Sequence, residues 1–394
     1  MFILQLCFWI LVALLIHTYL IYPFSLLVIT RKEKLPEQKL QDRDFPKVSV
    51  IISAYNEEAR IEAKLSNFKD LNYPDEKIEF LIGVDGAKDR TAELIRARRS
   101  EQVRLFEYPE NRGKVAVLND LVDYAAGEIL IFTDANTIFD RDAVLNLCQH
   151  FMDTKVGGVC GRLLLMSGKQ KLEPLYWMFE SKLKELEGAH GATIGANGGI
   201  YAIRKECFVP FETNLPIADD FILPMRVIEQ GYKFVYEPGA LAFEEGGDFR
   251  SEFSRKERIG AQDFNALRLI KSLLNPRRGF VSYGVWSHKI LRWFTPHLLI
   301  LIFVLNVVLL YSGSDFWRYV MIGQIAFYVI GLIGAGGLLI NKDIPIFAQI
   351  GYFVSVNLAL LIGFFKKVLK TQETKWEVRR DWLGGRVSLS SSFL

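Results

Sequence analysis

The sequence predicts an α/β domain with a mostly parallel sheet, inserted between membrane helices at the two ends of the chain. Three observations predict it. An almost wholly apolar run fills Ile3–Ile29; three more fill Leu291–Tyr311, Tyr319–Ile340 and Ile344–Leu369. Between them, about 250 residues of ordinary soluble composition alternate short β-branched runs with helical patterns.

Bulk composition fits this division. Hydrophobic residues make up 50% and charged residues 24% of 394 residues, and the mean hydropathy is +0.16. A single soluble core does not grow to this length, and a polytopic transporter would carry less charge, so the apolar residues must be concentrated. The expected division is 1–30 as an N-terminal transmembrane helix, 31–275 as the globular domain, 276–369 as interfacial and transmembrane helices, and 370–394 as a basic tail.

At 1.5 Å per residue, Ile3–Ile29 crosses roughly 30 Å of hydrocarbon. With no positive n-region and no small-x-small cleavage site, it reads as a membrane helix and not a signal peptide. Arg31, Lys32, Lys34 and Lys39 at the domain entrance, and Arg277, Arg278, Lys289 and Arg292 at its exit, place the domain in the cytosol by the positive-inside rule. Three later crossings would leave Lys366, Lys367, Lys370, Lys375, Arg379 and Arg380 outside, so one run is expected to be interfacial or re-entrant. Two segments qualify: Phe280–Phe294, which mixes basic and aromatic residues, and the glycine-rich Gly331–Gly337.

Within the domain, Lys47–Ala54 is a strand ending in YNEEAR, followed by a helix through Ile61, Leu65 and Phe68. Ile78–Val84 is a strand ending at Asp85, with a helix from Asp89. Val103–Tyr108 leads to a helix over Lys114–Ala126, and Ile129–Thr133 ends at Asp134. Ligands bind such sheets outside the carboxyl ends of the strands. Tyr55-Asn56-Glu57, Asp85-Gly86 and Asp134-Ala135-Asn136 should therefore converge on one crevice, where any one of them alone would read as a turn or helix cap.

Some classes are excluded. A formal charge of +3, without a stripe of basic and aromatic residues, argues against a nucleic-acid partner. Cys7, Cys148, Cys160 and Cys207 form no CxxC pair and read as core residues, and the five histidines make no HxxxH pair. His17 is the only ionisable residue deep in the first span, which is too little intramembrane charge for a transporter.

In this order, SAYNEE, GVDGAKDRT, NRGKVAVLN, FTDAN, GANGGIYAIRKE and IADDF resemble the family 2 glycosyltransferases of GT-A fold. The resemblance is to the membrane-anchored branch of hyaluronan, chitin-oligosaccharide, poly-N-acetylglucosamine and cellulose synthases, over about Val48–Ala266. It implies an inverting enzyme at the plasma or inner membrane that moves a sugar from a nucleotide-sugar donor, a UDP-sugar first, to a growing polysaccharide or lipid-linked acceptor at the cytosolic face. The alternatives are a non-processive lipid glycosyltransferase and a non-catalytic sugar-nucleotide-binding subunit of a secretion complex.

By motif, the resemblance puts Tyr55, Glu57 and Asp85 around the base and ribose and Lys114 near the leaving diphosphate. Asp134 and Asn136 take the place of a DxD motif holding Mg²⁺ or Mn²⁺, with Asn136 where the pattern has its second Asp; an amide oxygen is a neutral, weaker ligand. Asn197 and Gly198 belong to the acceptor loop, and Trp177, beside Tyr176, Phe179 and Lys182–Glu187, to an acceptor-side or membrane-surface helix. Asp220 is the catalytic base and Asp219 its neighbour. Arg255 and Arg258 occupy the Q/RxxRW position on one helix face, facing diphosphate. Ile259 stands where the processive enzymes have Trp, which favours a single-addition or short-product enzyme.

Overall fold

The computed structural model describes residues 1–30, 45–166, 172–340, 342 and 345–371. Arg31, Lys32, Lys34, Lys39, Lys375, Arg379 and Arg380 lie outside the described residues. Helices α1 (Phe2–Ile16) and α2 (Tyr22–Ile29) run on through a π-helical turn at His17–Ile21, making one apolar helix of 28 residues.

Strand β1 (Val48–Ala54) is buried along its whole length, as a β-branched run in a sheet covered on both faces should be. It lies parallel between β2 (Ile78–Asp85) and β4 (Ile129–Phe132), with β3 (Val103–Tyr108) outside β2. Helices α3 (Ile61–Asn67), α4 (Thr91–Ala97) and α5 (Lys114–Tyr124) make the crossovers. The side-chain period of two splits β1 between two cores: Val48, Val50, Ile52 and Ala54 pack on one face and Ile51 on the other.

The mostly parallel expectation describes only this half. Strands β5 (Ile138–Phe139), β6 (Val156–Met166), β7 (Tyr201–Arg204) and β8 (Lys233–Glu245) extend one eight-stranded sheet in the order β3-β2-β1-β4-β7-β6-β8-β5. β7 runs antiparallel to both β4 and β6, so the sheet is mixed. Helices α6 (Ala143–Cys148), α7 (Leu172–Gly188), α8 (Asp219–Glu229) and α9 (Phe249–Ala266) complete the domain. Cys148, Cys160 and Cys207 are buried free thiols. His288 is buried between Glu187 and Glu180, at 2.6 and 3.0 Å.

The run beginning at Leu291 is broken. α10 (Phe280–Gly284) and α11 (Leu291–Trp293), joined by a π-helical turn, form a segment bent 63° from α12 (Thr295–Leu310), with Pro296 in the first turn of α12. Gly331–Gly337 stays helical within α13 (Asp315–Leu339). There it permits a close crossing with α14 (Pro345–Val368): a Cβ on Gly334 would lie 1.8 Å from the Phe347 carbonyl oxygen. α14 in turn lies parallel along α9. Ala348 packs with Phe249, Leu360 meets Gly260, the Phe264 and Phe364 rings are 4.9 Å apart, and Lys366 pairs with Glu257.

Candidate active site

Parallel register builds the site. Val84 sits opposite Ala54, and Phe132 opposite Ile51, so β1, β2 and β4 run out at one rim. The three polar clusters leave the sheet there. Gly86 has φ +65, and a Cβ on it would stand 2.4 Å from the Asn111 nitrogen, so only glycine lets the loop 110–113 press against the strand end. Gly113, at φ 90, turns that loop into α5 and delivers Lys114 as its first residue.

A cavity of about 570 Å³ opens at this rim, lined by Glu57, Lys114, Asp134, Asn136, Asp219 and Asp220 among others. Lys114 Nζ lies 2.9 Å from Asp134 Oδ1 and 3.0 Å from Asp219 Oδ1. Burial alone would lower its pKa; Asp134 and Asp219 reverse this and raise it, so the group stays charged. Asp219 also accepts a hydrogen bond of 2.8 Å from the Tyr201 hydroxyl. Asp220 is close by: a Cβ on Gly198 would be 3.2 Å from Asp220 Oδ2 and 3.6 Å from Asp134 Oδ2. Burial, then the charge of Asp219, push the Asp220 carboxyl above its ordinary range, against the pull of Lys114. Among the described residues, Asp220 shows no side-chain hydrogen bond or ion pair, which leaves both its oxygens to the cavity.

Arg255 and Arg258 both line the cavity, as their spacing predicts. Arg255 is held by Glu252 at 2.6 and 2.8 Å and lies 5.7 Å from the Trp177 ring, so Trp177 also faces the cavity. Glu57 lines it as well, pushed up to about 7 mainly by burial.

Three expected site residues do not line the cavity. Asp85 is fully buried, and its carboxylate accepts the backbone N–H groups of Arg112 and Gly113, each at 2.8 Å, so it anchors the Lys114 loop. Asn197 is buried, donating to the Gly161 carbonyl at 2.7 Å and accepting from Lys184 Nζ at 2.5 Å; its neighbour Gly198 lines the cavity. Tyr55 is half-buried outside the lining.

Sequence reasoning missed Glu244, Asp263 and Lys289, which line the same cavity. Glu244 accepts from the Asn136 amide at 2.8 Å, because the β5–β8 ladder sets Ile138 opposite Phe243. Burial, then Asp134, raise its pKa. No local pattern marks these residues; 108 positions separate Asn136 from Glu244.

Comparisons with known proteins bear on the family and the fold. Residues 49–205 match the family described as Glycosyl transferase family 2, a span that ends before Asp219, Asp220 and the arginine pair. The chain is 29% identical over 205 residues to a poly-beta-1,6-N-acetyl-D-glucosamine synthase of Staphylococcus aureus, covering 50% of this chain and 49% of that protein. It is 26% identical over 250 residues to the probable glycosyltransferase YdaM of Bacillus subtilis, covering 59% of each. The chain thus spans about half the length of the curated relatives it matches. The mannosyltransferase PcManGT of Pyrobaculum calidifontis, solved with GDP-Man and Mn²⁺, superimposes with a TM-score of 0.71 at 20% identity, over 92% of this chain and 99% of that one. That likeness shows the α/β fold to be GT-A in kind, with helices at both ends long and apolar enough to cross a membrane.

Proposed function

We propose, from the match of residues 49–205 to the Glycosyl transferase family 2 model, that the chain is a membrane-embedded, inverting glycosyltransferase. It moves a sugar from a nucleotide-sugar donor to a polysaccharide or lipid-linked acceptor at the membrane face. The observation that carries the reading is the gathering of Asp134, Asp219 and Asp220 around Lys114 in one cavity.

Asp220 takes the acceptor hydroxyl's proton as that oxygen bonds to the anomeric carbon. The bond from that carbon to the diphosphate oxygen breaks on the opposite face, and its electron pair leaves with the nucleoside diphosphate. A raised pKa makes Asp220 a stronger base than an ordinary carboxylate. Lys114 stays cationic and fixes Asp134 and Asp219 in place. Arg258 and Arg112, on the cavity wall, face the charge that develops on the diphosphate. Asp85 acts through the loop it anchors.

Among the described residues no three His, Cys, Asp or Glu side chains cluster as a metal site, so Mg²⁺ or Mn²⁺ would be held by a sparse set that the donor's phosphates complete. Asp134 Oδ2 is not the oxygen bound by Lys114, the Asn136 amide turns its nitrogen to Glu244 and so keeps its oxygen available, and Glu244 adds a second carboxylate. A hard cation accepts such oxygens and completes its shell with phosphate and water. When bound, it neutralises the donor's diphosphate oxygens.

The same reading places the domain in the cytosol, with α1–α2, α12 and α13 crossing the membrane and α14 lying along its surface against α9. The two crossings after the domain then return the tail to the domain's side, which satisfies the positive-inside rule.

The test is Asp220→Asn in the full chain, assayed for nucleoside diphosphate release from a panel of UDP- and GDP-sugars. Turnover is expected to fall by about 10²–10⁴-fold while calorimetric donor binding stays within twofold. Normal turnover in the variant refutes the base assignment.

A further inference from the structure

Helix α7 carries three charged side chains on one buried face. Glu180, Lys184 and Glu187 are spaced four and three residues apart, and none is more than 5% exposed. Charges stay inside a fold only where partners are fixed around them, and here the partners belong to two different parts of the molecule.

One part is the membrane side. Glu187 Oε1 accepts from the Tyr22 hydroxyl of α2 at 2.7 Å and lies 2.6 Å from His288 Nδ1 of the interfacial segment. His288 reaches on to Glu180 at 3.0 Å, and Glu180 also pairs with Arg292. The first helix and the interfacial segment are themselves joined, His17 to Ser287 and Ser25 to Tyr283, each at 2.8 Å. The other part is the loop beside Asp220. Glu187 Oε2 accepts the backbone N–H of Ile194 at 3.0 Å. Lys184, one turn earlier, donates to the Ala196 carbonyl at 2.9 Å and to Asn197 Oδ1 at 2.5 Å. Ala196 in turn donates its N–H to the Asp220 carbonyl at 2.7 Å, and Gly195 and Gly198 line the cavity. A Cβ on Gly284 would stand 2.9 Å from Ile194 Cγ1 and 3.2 Å from Tyr22 Oη, so the interfacial segment presses on both ends of this tie.

The two oxygens of one carboxylate therefore hold two parts of the chain in register. A glutamine there offers an acceptor to one side and turns an NH₂ donor toward the donors on the other, which leaves a buried group unsatisfied. A displacement of about 1 Å near the reacting atoms costs on the order of 10²-fold in rate. We propose that Glu187 is a positioning residue for sugar transfer, which sets loop 194–198 beside Asp220 according to how the first helix and the interfacial segment are seated. This role rests on the glycosyltransferase reading, since that reading makes Asp220 the base.

The experiment compares the full chain in detergent with E187Q, Y22F and the double variant. Amide hydrogen exchange of peptides over 189–200 is read beside kcat and donor KM for nucleoside diphosphate release from UDP- and GDP-sugars. Exchange in that loop is expected to quicken about tenfold in E187Q, with kcat down about 10- to 100-fold and donor KM within twofold. Y22F, which removes one hydroxyl from a helix far from the loop in sequence, should move both readouts in the same direction by less, and the double variant should match E187Q, since Tyr22 acts through Glu187. Unchanged loop exchange in both single variants overturns the proposal, as does a double variant whose losses add, or a fall in kcat matched by an equal loss of donor binding. A chain whose loop loosens in Y22F and E187Q but whose wild type turns over no nucleotide sugar counts against the glycosyltransferase reading and leaves the tie between helix and loop standing.

Discussion

Burial and one neighbouring charge set the chemistry of Asp220. Its raised pKa means that the carboxylate form is lost as pH falls through a value above the ordinary carboxylate range. The acid limb of kcat/KM is therefore expected at a higher pH than an ordinary aspartate gives, and a limb at the ordinary aspartate position removes Asp220 as the titrating base. Asn136 is the residue where the motif and the structure tell different stories. Read in sequence, it is a missing carboxylate; in the fold, Glu244 bonds to it and brings the charge back from a distant strand. Glu244→Gln should weaken Mn²⁺ binding by about tenfold, read from free Mn²⁺ by electron paramagnetic resonance in the presence of nucleoside diphosphate. An unchanged affinity would leave Glu244 outside the cation site.

Elements act here as placing devices. The alternation of strand and helix in the first half was legible because β-branched runs and helical periodicity are local signals. The reversal at β7 was not, since its partners on β4 lie 69 to 75 positions away, from Phe132 opposite Tyr201 to Ile129 opposite Arg204. The glycine-rich stretch of α13 reads as a break in one dimension and proves to be a contact surface in three. A Cβ on Gly351 would stand 2.4 Å from the backbone of Gly334 and Ala335. Gly351→Leu should therefore force α13 and α14 apart, costing about 1–3 kcal/mol. A lower thermal midpoint in detergent with donor binding retained is the expected pair of results, and an unchanged midpoint would mean that the crossing is not tight.

For the whole molecule, the path of α14 decides the topology. It is apolar enough to span and packs both on α13 and along α9 from Phe249 to Phe264; the proposed topology lays it on the domain's flank. A cysteine introduced at Thr371 in a Cys7→Ser chain should be labelled by an impermeant maleimide only after the cytosolic face is opened, and labelling from the outside of intact cells would overturn this path. The sequence by itself determined the strand-end carboxylates, the arginine pair on one helix face and the apolar runs, because each depends on neighbours within a few residues. Tertiary structure alone decided that Asp85 anchors a loop, that Glu244 and Lys289 join the cavity, and that α14 packs along α9, because pairing, burial and desolvation depend on groups that only the folded chain brings within a few ångströms.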